Sequence, residues 1–253
     1  LGVEHIIVSG DIRKKRNNIC RNINAWLKRP TLGMIPLFMA GDKQLFYYAN
    51  KLRKQTGIDL IIFSMNFLEK TNFKTGFCNV EEGFDQNRHY ALDPAGTLKL
   101  VSYYARELLL NPAYLNRSIF DSLFAFASYY LIPHNYLHFY KFIEWDEKTI
   151  NDTLIHEYNW ETAEDTTTTW RIGDGTAAFY NYIYYTVAGF TENDTLRSNQ
   201  IREGKISREE ALRAVAQENR PRYQSLREYA GIVGFDCDEA IRIINSMPRL
   251  YKI

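Results

Sequence analysis

Apolar and polar residues along the first third of the chain follow the order strand, helix, helix, strand. Short apolar runs at residues 4–9 and 58–63 predict buried strands. Longer amphipathic stretches at residues 11–27 and 43–56 predict helices between them. This order predicts an α/β fold, namely a partial doubly wound parallel sheet whose ligands lie beyond the carboxyl ends of its strands.

Helical periodicity dominates the rest of the chain, after a loop rich in Gly, Asn and Asp at residues 72–96. We therefore predict two parts, an α/β domain at residues 1–96 and a mainly helical part at residues 97–253. The predicted helices of the second part cover residues 97–110, 113–131, 147–158, 174–188, 191–203, 208–218, 222–231 and 238–246.

Composition and charge narrow the classes of function. The 253 residues are 45% hydrophobic and 24% charged, which is typical of a globular protein with a sizeable core. A net charge of +1 argues against a general nucleic-acid surface. The longest apolar stretch, residues 119–132, is too short for membrane insertion. Three widely spaced cysteines indicate reduced thiols in the cytoplasm, with Cys78 a buried structural thiol rather than a nucleophile.

A glycine-flanked acid precedes one of the predicted helices. Gly173 and Gly175 surround Asp174, and Thr176 follows, so backbone N–H groups at this helix start could hold an anion. Arg171 would add a charge-assisted contact, and Asp174 could hold a Mg2+ ion shared with a phosphate. Arg171 and Asp174 are thus candidate catalytic residues. The alternative is that Asp174 or Thr176 simply caps the helix.

A polar track follows at residues 191–204, with little apolar surface to bury. Its mixture of Arg, Asn and Gln suits directional hydrogen bonding to a polar ligand better than it suits an ordinary solvated helix, which is the alternative. The candidate binding residues of this track are Asp194, Arg197, Asn199, Gln200 and Arg202.

Two further candidates follow the second predicted strand. Asn66 and Glu69 lie where the carboxyl end of the strand at residues 58–63 would face a ligand. A turn asparagine and a solvated glutamate are the alternatives. All these candidates are predicted to converge on one pocket.

One long segment resembles a known family. Residues 170–204, WRIGDGTAAFYNYIYYTVAGFTENDTLRSNQIREG, resemble the C-terminal signature of the N-acetyl sugar amidotransferases, within the PP-loop ATP pyrophosphatase superfamily. The resemblance extends over most of the chain. It includes PLFMAGDKQLFYYANKL at residues 36–52, GFC at residues 76–78 and ENRPRY at residues 218–223.

The resemblance implies an ATP-dependent amidotransferase of O-antigen and lipopolysaccharide biosynthesis. Such an enzyme converts the acetamido group of a nucleotide-linked N-acetyl sugar to an amidine. It uses ATP and Mg2+, and its ammonia comes from a separate glutaminase subunit.

The chain also departs from the pattern of that family. The SGGxDS phosphate loop and the Cys-rich, zinc-like N-terminal segment of relatives do not occur, and Ser64-Met65 replaces Gly-Glu. We therefore expect an N-terminally truncated copy that does not turn over ATP alone, with zinc only in the missing segment. A degenerate, non-catalytic paralogue that binds a sugar nucleotide or a partner is the alternative. Another PP-loop ligase or an RNA thiolation enzyme fits less well.

Overall fold

The structure is a computed structural model that describes residues 4–71, 73–80, 93–132, 135–166, 168–170 and 175–251. Helical residues, counting the 3-10 segments, make up 67% of these described residues. Within the described ranges the α-helices are α1 (Ile12–Lys28), α2 (Leu45–Thr56), α3 (Phe73–Gly76), α4 (Pro94–Leu110), α5 (Ser118–Tyr130), α6 (Glu147–Tyr158), α7 (Thr176–Ala188), α8 (Glu192–Arg202), α9 (Arg208–Glu218), α10 (Tyr223–Val233) and α11 (Cys237–Ser246). Shorter 3-10 segments cover Leu32–Gln44, Phe67–Glu69, Pro112–Tyr114 and Phe139–Lys141.

The predicted α/β fold is wrong. In the described part of the chain the only sheet has two short parallel strands, β1 (Ile62–Phe63) and β2 (Leu137–His138). Residues 4–9 form no strand, and the side chain of Ile7 is 74% exposed. An apolar run becomes a buried strand only where neighbouring strands and covering helices surround it. Here β1 pairs with β2 instead of with residues 6–9.

Local sequence signals predicted the ends of α1 and α2 to within two residues. Asp11 begins α1, because its carboxylate accepts hydrogen bonds from the backbone N–H groups of Arg13 and Lys14, each at 3.1 Å. Gly57 ends α2 in the left-handed conformation at φ 71°. Helix α2 begins at Leu45, two residues later than predicted, because the 3-10 segment Leu32–Gln44 precedes it.

The main hydrophobic core surrounds α7. This helix is buried over most of its circumference, and it contacts the segment Leu32–Gln44 as well as α10 and α11. The core also includes Ile23 and Trp26 of α1, so it draws residues from both sides of the domain boundary predicted at residue 96. That boundary stays a prediction. None of the helices in the described ranges is long and apolar enough to cross a membrane.

Candidate functional site

The glycine-flanked turn lies only partly within the described residues. Arg171, Gly173 and Asp174 fall outside them, so their roles and the Mg2+ site stay predictions. No group of three or more His, Cys, Asp or Glu side chains that could hold a metal occurs in the part that is described.

Gly175 occupies the N-cap position of α7, directly before Thr176. Its φ of +69° is left-handed, and a Cβ at this position would lie 2.8 Å from the Cβ of Tyr229. Both the turn and the packing of α10 against it therefore require glycine. Thr176 is buried in the first turn of the helix.

Substituting Gly175 tests this account of the turn. We expect Gly175→Ala to lower the free energy of unfolding by about 2–3 kcal/mol, from left-handed strain and from the contact with Tyr229. Gly57→Ala is the matched control, because Gly57 has a similar φ of +71° but no atom within 4 Å of the added Cβ. Its cost should be about 1 kcal/mol in urea unfolding. Equal costs for the two variants would contradict the proposed contact.

Arg197 of α8 is the centre of a buried polar cluster. It donates from Nε to Glu218 at 3.1 Å, from Nη2 to Glu147 at 3.1 Å and from Nη1 to Gln200 at 2.8 Å. Further bonds join Nη1 to Glu147 and Nη2 to Glu218. Together these bonds use all five N–H donors of the guanidinium. The amide of Gln200 closes the cluster by donating to Glu147 at 2.9 Å.

Burial and the neighbouring carboxylates act in opposite directions on the pKa of Arg197. Burial alone would lower its pKa, but the carboxylates of Glu218 and Glu147 outweigh burial and raise the pKa of the guanidinium. The arginine is therefore firmly charged and directed at protein carboxylates. In this arrangement it holds α6, α8 and the end of α9 together.

The other members of the polar track also form internal contacts. Asp194 accepts from the N–H of Thr191 at 2.8 Å as one half of a capping box, and it also accepts from the side chain of Asn219 at 2.7 Å. Asn199 donates to the carbonyl of Leu68 at 2.8 Å. Arg202 is exposed and bonds to Asn199 and to Ser198 on its own helix.

The bond from Asn199 brings α8 against the turn of Asn66 and Glu69. Asn66 is buried, and its side-chain oxygen accepts from the N–H of Leu68 at 3.0 Å, so it begins the 3-10 turn Phe67–Glu69. Glu69 ends that turn and is partly exposed. The structure thus places Asn66, Glu69 and Asn199 together.

A cleft near the start of α8 offers a place for a ligand. It lies between α7, the start of α8 and residues 218–222, and its cavity volume is about 30 Å³, so a larger ligand would extend into its open mouth. Aromatic rings, amides and one exposed cation share its walls. Among its lining residues are Trp170, Asn181, Tyr185, Asn193, Asn219 and Arg220.

These cleft residues are absent from the candidates predicted above. Asn181 is the one signal that sequence reasoning could have used, because it interrupts an apolar helix on the same face as Ala178 and Tyr185. Asn193 and Asn219 join only when α8 packs on α9. Their spacing in sequence carries no signal of that contact.

Cys78 lies elsewhere, packed under α4. Its thiol is buried, and burial together with the negative charge of Glu107 raises its pKa to about 12, despite a hydrogen bond with Tyr104. A thiol in that state is a poor nucleophile. The prediction of a buried structural cysteine agrees with this environment.

Most residues that line the cleft belong to segments that carry the family resemblance. Residues 170–204 and 218–223, two of the segments that carry the resemblance, supply most of the cleft walls. No protein-family model, curated protein or solved structure matches the chain.

Proposed function

We propose that this chain binds the sugar-nucleotide substrate of an ATP-dependent amidotransferase, which converts an acetamido group to an amidine. The observation that carries the proposal is that residues 170–204 and 218–223 meet at one cleft. These two segments are separated in the sequence by residues 205–217, which include most of α9. Binding of one ligand by both segments would explain why they line the same cleft.

The chemistry of the cleft suits a nucleotide-linked sugar. The rings of Trp170 and Tyr185 offer apolar faces for a pyranose, and the neighbouring amides offer donors and acceptors for its polar groups. Arg220 is exposed at the same cleft and forms no ion pair with any described residue. Its guanidinium is suited to the diphosphate of such a substrate.

The proposed reaction follows from the resemblance. The acetamido oxygen attacks the α-phosphorus of ATP, a new P–O bond forms, and the bond to pyrophosphate breaks. Ammonia from a glutaminase partner then adds to the imidate carbon. The bond from this carbon to the former acetamido oxygen breaks, AMP leaves with that oxygen, and loss of a proton gives the amidine. The reaction belongs in the cytoplasm, in the synthesis of a surface polysaccharide. The residues described here bind and orient the sugar.

Binding of UDP-N-acetylglucosamine to the purified chain tests the proposal. We expect saturable binding by isothermal titration calorimetry, and we expect Arg220→Ala to weaken it about tenfold or more through loss of a phosphate contact. Arg227→Ala is the control, because Arg227 is also exposed but lies on α10 outside the cleft. Absence of binding by the unaltered chain would refute the proposed function.

A second candidate is a non-catalytic protein that binds the same class of ligand. The saturated donors of Arg197 favour it, because that part of the polar track is engaged in holding helices together. The two candidates differ in one measurement. Because this chain alone is expected not to turn over ATP, the measurement is made on the full product of its gene. Release of pyrophosphate from ATP in the presence of sugar nucleotide and ammonia supports the enzyme, whereas binding without release supports the second candidate.

A further inference from the structure

The orientation of the Asn181 side chain in the cleft is fixed by the backbone. Its Oδ1 accepts the N–H of Glu192 at 3.1 Å. A backbone N–H can only donate, so the amide must turn its oxygen to Glu192 and its Nδ2 away. That Nδ2 has no hydrogen-bond partner among the described residues. Asn181 therefore presents a free donor.

Asn193 is fixed in the opposite sense. Its Nδ2 donates to the backbone carbonyl of Glu218 at 3.2 Å and is 3.4 Å from the side-chain oxygen of Asn219. A backbone carbonyl can only accept, so Oδ1 is directed away from this contact. The residue is only 7% exposed, and its Oδ1 has no partner in the described part of the structure. Asn193 therefore presents an acceptor that has no partner in the described part of the structure.

The two asparagines are close neighbours in the same cleft. The N–H that holds Asn181 belongs to Glu192, the residue directly before Asn193, and both asparagines line the cleft. Glu192 itself is fully buried, where its carboxylate pairs with Lys74 and accepts from the hydroxyl of Tyr180 at 2.6 Å. These contacts of Glu192 fix the backbone N–H that orients Asn181, and they fix the backbone directly before Asn193.

A free donor beside a free acceptor is complementary to a secondary amide. An acetamido group carries one N–H and one C=O on different atoms, and its methyl needs a small apolar surface such as Ala178, which also lines the cleft. A hydroxyl group in place of the acetamido group has its donor and acceptor on one atom and no methyl. A buried polar group left without a partner disfavours that ligand.

We propose that Asn181 and Asn193 are the specificity-determining residues for the acetamido group, with Asn181 donating to its carbonyl and Asn193 accepting its N–H. The inference rests on the proposed function, because it names how the same cleft distinguishes its substrate from other sugar nucleotides. It predicts that the cleft prefers UDP-N-acetylglucosamine to UDP-glucose by about tenfold or more, as expected when buried polar groups lose their partner.

The experiment compares the affinities for these two nucleotides across variants. Asn181→Asp keeps the acceptor for Glu192 but replaces the free donor by an oxygen, so it should remove most of the preference. Asn193→Ala removes the free acceptor and should do the same. Asn17→Asp is the matched control, since it adds the same charge to the chain at an exposed asparagine of α1 that does not line the cleft.

The outcomes separate this inference from the proposed function. If the unaltered chain binds both nucleotides equally, or if folded Asn181→Asp and Asn193→Ala keep its preference, the inference is overturned while sugar-nucleotide binding stands. If neither nucleotide binds to the unaltered chain, the proposed function fails and the inference fails with it. Should Asn181→Asp not fold, as judged by circular dichroism, the ratio measured for Asn193→Ala decides.

Discussion

Replacing Arg197 with methionine is expected to lower the free energy of unfolding by about 3–5 kcal/mol, the loss typical of a buried ion pair that loses one partner. The side chain of Glu218 is only 6% exposed, and that of Glu147 is also largely covered. Methionine occupies a similar volume but leaves both carboxylates without their cation. Urea unfolding followed by far-UV circular dichroism measures the difference.

Arg202→Met is the matched control for this experiment. Arg202 lies on the same helix, but it is exposed, and its bonds within the described residues are to Asn199 and Ser198 nearby on α8. Its replacement should change stability little. Adding Glu218→Gln to Arg197→Met should recover part of the loss, because one unpaired charge is removed. A loss for Arg197→Met no larger than that for Arg202→Met would contradict the role assigned to the cluster.

Trp26→Ala is expected to cost about 3–5 kcal/mol in the same measurement, as for other large-to-small changes in a core. The indole of Trp26 is fully buried, meets the ring of Phe38 edge-on at 5.8 Å and donates from Nε1 to the carbonyl of Thr31 at 2.8 Å. The substitution would leave a cavity in the helical core and remove one of the two hydrogen bonds that the Thr31 carbonyl accepts, the other coming from the N–H of Met34.

Two other variants separate the causes of that loss. Trp26→Phe keeps most of the apolar volume but removes the hydrogen bond, so it should cost about 1–3 kcal/mol. Arg21→Ala, at an exposed position of the same helix, should change stability little. If Trp26→Ala were as mild as Arg21→Ala, α1 would not be part of the core.

The sequence predicted helix ends well where the signal is local. The bounds predicted for α6 and α9 agree with the structure. Helix α9 shows the reason, since Ser207 accepts from the N–H of Glu210 at 3.2 Å and Glu210 accepts in return from that of Ser207 at 2.8 Å. Every group in such a capping box lies within three residues of its partner.

The sheet could not be predicted in the same way. Whether residues 4–9 become a strand depends on a partner strand, and β1 pairs instead with β2, which is far away in the sequence. An apolar run indicates only that burial would be favourable. It does not identify the surface that would cover it, and here Ile7 remains exposed.

The candidate site shows the same division between local and distant information. The residues of α8 were recognised as suited to hydrogen bonding, but sequence spacing does not show what they bond to. The carboxylate of Glu147 that meets Arg197 is 50 residues away in the chain. The free atoms of Asn181 and Asn193 become apparent only when the partners of their other atoms are known.

Glu218 belongs at once to the cleft wall and to the cluster around Arg197. A movement of its carboxylate toward a ligand must lengthen its bonds to Arg197, whose remaining donors hold Glu147 on α6. If a ligand moves this carboxylate, cleft occupancy and the docking of α6 are thermodynamically linked, and each changes the free energy of the other by the same amount. Amide hydrogen exchange along α6 would then change when a ligand binds in the cleft, although this helix does not line the cleft.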